Sequence, residues 1–467
     1  MTLHGPACKA PTTSMYLDPR GEVRACCQNL WQRLGNITET SLLEMWRGIR
    51  MDTLRSAVDG GDLSHGCERC AVHIDAGHPE AAYARAFDWL EPDDDQPAWP
   101  RQLEFALSNA CNLQCTMCNG DLSSAIRVHR EGRAPLPTVY DDAFFQELDL
   151  FLPHLRSAAF LGGEPFLGRE SLRVMHRLAE LPAPPLCSIT TNGTQWNDRI
   201  HRIVDTLPMH VTVSIDAVST ALFESIRKGA SHRVVLTNLD RFREAVRPAG
   251  GRVSVAFCMM RDNWREFGDL LQWADQLDVD VFVNGVSHPP EMSMVHATRS
   301  ELVAIVAALD DQDRLLQRLL GRNLDVWNTE LGVLRRLATR PALETPVHLS
   351  VTRPPTSSTE LLIDRSAISA RIEADPSHVV SEVDPGRSVE LGLDLESLVG
   401  GSMWEIQRHL CDALGETDFS RLHRHDDGSE EFLVRLVGPG SATLLTALLT
   451  PRPDGGSTWV LDFEPVS

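Results

Sequence analysis

The run CNLQCTMC sets Cys111, Cys115 and Cys118 in a C-x3-C-x2-C spacing. Three thiolates this close together hold three corners of a cubane iron–sulfur cluster. A purely structural cubane wants a fourth cysteine nearby, and none follows before Cys187. A site with three cysteines leaves one iron open, and an open iron binds and reduces a substrate or cofactor. The competing reading of the spacing alone is a zinc knuckle or a set of reduced core cysteines.

Such a loop needs a scaffold. From about residue 101 to 298, short apolar or alternating runs recur: QLEFALS, SAAFLG, LCSITT, HVTVSID, RVSVAFCM and DVFVNGV. Stretches with helical spacing lie between them, such as DDAFFQELDLFLPHL, ESLRVMHRLAEL and NWREFGDLLQWADQL. Strand–helix alternation implies parallel β/α units. The cysteines follow the first run, in the loop after the first expected strand. Gly162, Gly163, Glu164 and Pro165 follow the apolar run SAAFL, TTNG spans Thr190–Gly193, and VSIDA spans Val213–Ala217. Two adjacent glycines let backbone approach a ligand closely.

These residues resemble the radical S-adenosylmethionine (SAM) superfamily. The resemblance implies an α/β fold, a partial (β/α)6 TIM-like barrel, in which the three cysteines hold a [4Fe-4S] cluster and SAM chelates the open iron. It also implies that Gly162, Gly163, Glu164 and Pro165 form the element that contacts the SAM amine. Asn192, Ser214 and Asp216 become contacts to the SAM ribose or carboxylate, and Arg227, in FESIRKG, a partner of the carboxylate. Asp216 is alternatively just the polar end of a strand. The residue before the last cysteine is usually aromatic in this superfamily. Here it is Met117, which packs against adenine more softly.

Upstream, Cys8, Gly21 and Cys26 read C-x12-G-x4-C, Cys27 follows directly, and Cys67 and Cys70 form C-x2-C. DPRGEVRACC reads as a hairpin turning at Pro19-Arg20-Gly21. LGNITETSLLEMWRG leads into a helix that Thr40 or Ser41 caps. Residues 1–90 resemble the SPASM/twitch auxiliary-cluster module of radical SAM enzymes. The module normally follows the barrel, and the second cysteine group of a full SPASM domain is missing. The resemblance therefore implies one auxiliary [4Fe-4S] cluster on Cys8, Cys26, Cys67 and Cys70. Cys27 replaces Cys26 or stays a free thiol or core residue. The alternative is a four-cysteine zinc site.

EPDDDQPAWP, residues 91–100, reads as an exposed, extended linker to the barrel of residues 101–298. Residues 299–345 read as a helical extension and linker. Residues 346–467 read as an α+β domain, and there LVGGSMWEI and two late strands joined at Asp454-Gly455-Gly456 resemble a PAS domain; an unrelated small α+β domain is the alternative. Cys187, Cys258 and Cys411 read as core. His288 and Glu291 are candidate substrate-facing residues, with Met292 and Met294 beside them lining a pocket or packing. HDDG near His425 reads as a turn.

The 467 residues carry 44 Lys and Arg against 65 Asp and Glu, a net charge of −21. That disfavours nucleic acid and anionic membrane as partners. The sequence offers neither a membrane-spanning run nor a signal-peptide pattern. Eleven cysteines at short spacings without export signals favour metal ligation in a reducing cytoplasm. The sequence reading is thus a cytoplasmic radical SAM enzyme. Reductive cleavage of SAM yields a 5′-deoxyadenosyl radical that takes hydrogen from a peptide or small molecule. The auxiliary cluster aids electron transfer or substrate binding, and a flavodoxin- or ferredoxin-type protein supplies electrons. The rivals are an iron–sulfur/PAS redox sensor without SAM turnover and a zinc-binding scaffold.

Overall fold

The computed structural model describes residues 8–339 except 30–31, 76–78, 80–81, 93–96 and 287–288. Beyond them it describes the strands of a second unit, residues 340–467, by their backbone.

The first unit opens with α1 (Ala10–Thr13), β1 (Ser14–Leu17), β2 (Glu22–Arg24) and β3 (Gly35–Asn36). The turn between β1 and β2 needs Gly21 at φ 83°, a conformation that glycine adopts freely. Helices α2 (Leu42–Trp46), α3 (Ile49–Asp59) and α4 (Glu68–Asp75) follow. Ser41 caps α2 in a reciprocal box with Glu44, as the Ser-x-x-Glu spacing dictates.

The barrel strands are β4 (Gln102–Phe105), β5 (Ser157–Phe160), β6 (Leu186–Thr191), β7 (Met209–Ser214), β8 (Arg252–Met259) and β9 (Asp280–Gly285). Between them run α5 (Ser124–His129), α6 (Asp142–Phe151), α7 (Arg169–Ala179), α8 (Asp198–Thr206), α9 (Thr220–Ile226), α10 (His232–Val246) and α11 (Phe267–Gln276). The six strands pair in parallel, in chain order. In one layer Phe105, Phe160, Ile189, Val211 and Val253 stand side by side and face the helices, all buried. Each such side chain stabilises by about 1.5–3 kcal/mol. The alternate positions, among them Glu104, Ser188, Thr190, Thr212 and Ser254, point to the concave face. Strand period 2 thus gives one apolar and one polar wall.

The upstream module shares this sheet. β1 lies parallel to β4 with Tyr16 opposite Glu104, so the order β3-β2-β1-β4-β5-β6-β7-β8-β9 is one nine-stranded sheet. The segment expected to be an exposed linker is buried at its end. Pro97 accepts a hydrogen bond from Trp46 Nε1 at 2.8 Å, and Trp99 stacks on His154 with ring centroids 4.5 Å apart. The aromatic residue in AWP seeks a partner surface, and Phe151 at the end of α6 and His154 just beyond it supply one.

After β9 come α12 (Arg299–Leu319), capped by Thr298 and Glu301, and α13 (Leu324–Thr339). Leu309, Leu316, Trp327 and Leu331 bury themselves between them and the barrel. No helix among the described residues is long and apolar enough to cross a membrane.

The second unit contains β10 (Ala370–Ala374), β11 (Val380–Asp384), β12 (Glu416–Arg424), β13 (Glu430–Gly438), β14 (Ser441–Pro451) and β15 (Ser457–Pro465). They form one antiparallel sheet in the order β11-β10-β15-β14-β13-β12. β14 and β15 pair from Pro451–Ser457 outward, on either side of the expected turn. LVGGSMWEI, Cys411, HDDG and Asp454-Gly455-Gly456 lie outside the described residues, as does His288.

Candidate active site

The three cysteines sit on the loop that leaves β4, at the end where the parallel strands finish. Leu113 anchors the loop in the core. Ser124 Oγ accepts from Cys111 N at 3.1 Å, and Ser123 Oγ donates to Leu113 O at 2.7 Å. Arg130 donates to the carbonyls of Cys115 and Cys118. Backbone bonds from Gln114 N to Lys228 O and from Thr116 N to Ile226 O, each 2.9 Å, tie the loop to the end of α9. Cys115 is buried, and Cys111 and Cys118 are half-buried. Burial raises all three thiol pKa values, Cys118 to about 12, and proximity to one another raises Cys115 and Cys118 further. These thiols therefore stay protonated at neutral pH until a metal competes for them, and loading releases protons.

Gly162 and Gly163 pack against this loop from β5. A Cβ at Gly163 would come within 2.5 Å of Ala110 O, and one at Gly162 within 2.8 Å of Ser108 O. The close approach that the glycines permit is thus to the chain's own backbone, sealed by Glu164 N to Ala110 O at 2.7 Å. Glu164 is 1% exposed. Its carboxylate accepts from Thr191 Oγ1 at 2.8 Å, Asn192 N at 2.7 Å and Phe166 N at 3.2 Å. Burial still pushes it up to about 7, despite those donors. In this structure it joins the ends of β5 and β6. Asn192, held there, donates to Asn112 Oδ1 at 3.0 Å and lies 3.8 Å from Cys111 Sγ.

Asp216 and Arg227 form a buried pair, Oδ2 to Nε 2.7 Å, an ionic contact off the hydrogen-bond line. Asp216 also accepts from Cys258 N at 2.7 Å. Burial pushes the Asp216 carboxyl up and Arg227 pulls it back. Burial is the largest influence on Arg227 and opposes its charge, but Asp216, Cys115 and Cys258 together outweigh it and the guanidinium stays charged. That charge acts on Cys115.

The upstream cysteines line an apolar cavity. Its lining includes Cys8, Cys26, Cys67 and Cys70 together with Leu54, Val58 and Phe87, but not Cys27. Cys8 Sγ accepts from Ala10 N at 3.3 Å, and Cys67 Sγ from Asn29 Nδ2 at 3.6 Å. Burial raises all four thiols, Cys8 and Cys67 to about 12. Cys27 turns toward Tyr83 and Glu104. Among the described residues, no three side chains converge as ligands of a single metal ion do. The four thiols instead ring a space, as donors to a cluster would. The donor set is all sulfur, which iron–sulfur clusters take.

Residues 105–274 match the Radical SAM superfamily, and residues 8–71 match an iron–sulfur cluster-binding domain, SPASM. The barrel is a radical SAM domain. Radical SAM domains bind a [4Fe-4S] cluster and SAM, and SPASM domains bind auxiliary iron–sulfur clusters. Among curated proteins, the chain is similar to GTP 3′,8-cyclase of Streptomyces coelicolor, 28% identical over 38% of this chain and 51% of that one. GTP 3′,8-cyclase of Caulobacter vibrioides is 26% identical over 38% and 50%. The chain thus spans about half the length of the curated relatives it matches. Among solved structures, anSMEcpe with bound AdoMet aligns at a TM-score of 0.34, 17% identity, 47% of this chain and 62% of that one. Streptococcus suis SuiB bound to precursor peptide SuiA gives 0.36, 17%, 57% and 64%.

Within the radical SAM domain, the cysteine loop, the Gly162–Pro165 turn, Asn192 and Arg227 come together at the strand ends. Ser214 stands nearby at the end of β7. Met117 is half-buried against the core, and Pro165 is buried. Asp216 is 0% exposed and braces Arg227 rather than lying open to a ligand. Glu291 is exposed, Met292 half-buried and Met294 buried. Cys187 is core, as expected. Cys258 is not. Its thiol is half-buried at the end of β8, where Asp216, Arg227, Cys115 and Cys118 act on it. Its position in RVSVAFCM carried the signal, since it falls in phase with the polar Ser254 and not with Val253, Val255 and Phe257. Asn263 was also missed. Its amide bridges Asp216 O and Cys258 O, each at 2.9 Å.

Proposed function

We propose that this chain is a radical SAM enzyme with Cys111, Cys115 and Cys118 as ligands of the SAM cluster and Cys8, Cys26, Cys67 and Cys70 as ligands of one auxiliary [4Fe-4S] cluster. The observation that carries the reading is the gathering of three thiols, a two-glycine turn and a charged arginine where the parallel strands end. When bound, the cluster supplies the electron that splits SAM into methionine and a 5′-deoxyadenosyl radical, which takes hydrogen from a substrate carbon. The chain's own contribution is placement and charge. Asn192 orients the Cys111 thiol. Arg227, kept charged by Asp216, offers a cation to the SAM carboxylate and to Cys115. Gly162 and Gly163 fix the loop by direct backbone contact. The polar wall of Ser188, Thr190, Thr212 and Ser254 lines the space in which substrate would lie.

The substrate is a peptide or a small molecule, and the name of the curated relatives makes a nucleotide one small-molecule candidate. A flavodoxin- or ferredoxin-type donor provides electrons. The test is iron and acid-labile sulfide per chain after anaerobic reconstitution, with 5′-deoxyadenosine measured after dithionite and SAM are added. The expected result is about eight irons in the parent chain, about four in the Cys111/Cys115/Cys118→Ala variant, and deoxyadenosine only in the parent. Iron in both with deoxyadenosine in neither, with or without peptide and nucleotide substrates, would favour a cluster-bearing sensor.

A further inference from the structure

Resting on that reading, we infer that Glu104 is a positioning residue that locks the auxiliary cysteine loop to the first barrel strand and lowers the reduction potential of the cluster held there.

Glu104 is 0% exposed on the polar wall of β4, beside the upstream module. Its Oε2 accepts from Cys27 N at 2.7 Å. Its Oε1 accepts from Tyr83 OH at 3.1 Å and from Gln102 Nε2 at 3.2 Å. One carboxylate thus holds both sides of the auxiliary cavity. Cys27 follows Cys26, whose thiol lines the cavity. Tyr83 lines it too, and the backbone N–H groups of Tyr83 and Ala84 donate to Cys70. Cys27 and Tyr83 come from segments far apart in sequence, so the carboxylate fixes them relative to each other and to the barrel.

The second consequence is electrostatic. Potentials of iron–sulfur clusters follow net charge and hydrogen bonds to sulfur. N–H donors to Cys8, Cys67 and Cys70 favour the reduced, more negative cluster. A carboxylate that acts on Cys26 does the opposite. The three groups that donate to Glu104 are neutral and leave its charge uncancelled. Burial pushes the Glu104 carboxyl up from its ordinary value, and the Cys27, Tyr83 and Gln102 donors pull it back; donors alone surround its oxygens, the environment of an ionised carboxylate, which only accepts.

The experiment places Glu104→Gln in the full chain carrying Cys111/Cys115/Cys118→Ala, so that only the auxiliary cluster remains. Iron and sulfide are counted, and the midpoint potential is found by redox titration followed by electron paramagnetic resonance. We expect about four irons in both and a more positive midpoint in the Gln variant. An unchanged midpoint with iron retained overturns the inference. If the Gln variant loses iron, the same substitution is made in the parent chain. Loss of the auxiliary irons alone, with the SAM cluster kept, supports the locking role, while loss of both clusters shows a general folding role and overturns it. An iron-free triple variant with Glu104 intact would overturn the auxiliary-cluster reading itself, and this inference with it.

Discussion

At the scale of single residues, the site depends on contacts hidden from solvent. Removing one member of a buried ion pair leaves an unpaired charge, at a cost of about 3–5 kcal/mol. Asp216→Ala is therefore expected to lower the denaturant midpoint sharply, and Asp216→Leu with Arg227→Met to recover most of it. Equal losses in single and double variants would show that the pair is not coupled. Gly163→Ala drives a Cβ into Ala110 O, so the cysteine loop must shift. We expect a loss of about 1–3 kcal/mol and faster iron loss to a chelator, with auxiliary iron unaffected. The cysteines and the two glycines were legible because their spacing is local. The roles of Asp216 and Glu104 were not. A polar residue at a strand end looks the same whether it faces a ligand or a buried arginine. The partners of Glu104 at Cys27 and Tyr83 arrive from elsewhere in the chain. The one trace it left is a carboxylate within QLEF, in the phase that turned out to be the concave wall.

At the scale of elements, the six barrel strands could be read because their apolar runs are short and bounded by helical stretches. The continuation of the sheet through β1 could not, since a four-residue strand and its partner lie 88 residues apart. The Ser41–Glu44 box was half legible, since Thr40 offered the same chemistry. Ser41→Ala should cost about 1 kcal/mol, read as a midpoint shift in the first unit's unfolding. In α13, burial raises Glu330 to about 7 from its ordinary 4.5. A folded-state value above the unfolded one means that the native chain binds the proton more tightly. Its stabilising effect is complete below about pH 4.5 and disappears as pH rises through about 7. Glu330→Gln should flatten that part of the stability–pH curve. An unaltered slope would place the carboxyl in water.

At the scale of the whole molecule, the chain divides after Thr339 into two units. The first holds every cysteine assigned to a cluster and a continuous core from Met15 to Ala338. A chain ending at Thr339 should therefore fold and take up about eight irons, counted as for the parent. Failure to retain them would make the second unit necessary for the first.

The β1–β4 pairing works as a ruler. Four residues in fixed parallel register join the two cysteine sites across one sheet. A slip of a single residue would turn Tyr16 to the opposite face. A slip of two would restore the faces but carry the hairpin about 6.6 Å along the strand axis. Since electrons pass between centres at rates that fall steeply with separation, those few rungs would set the speed of traffic between the sites.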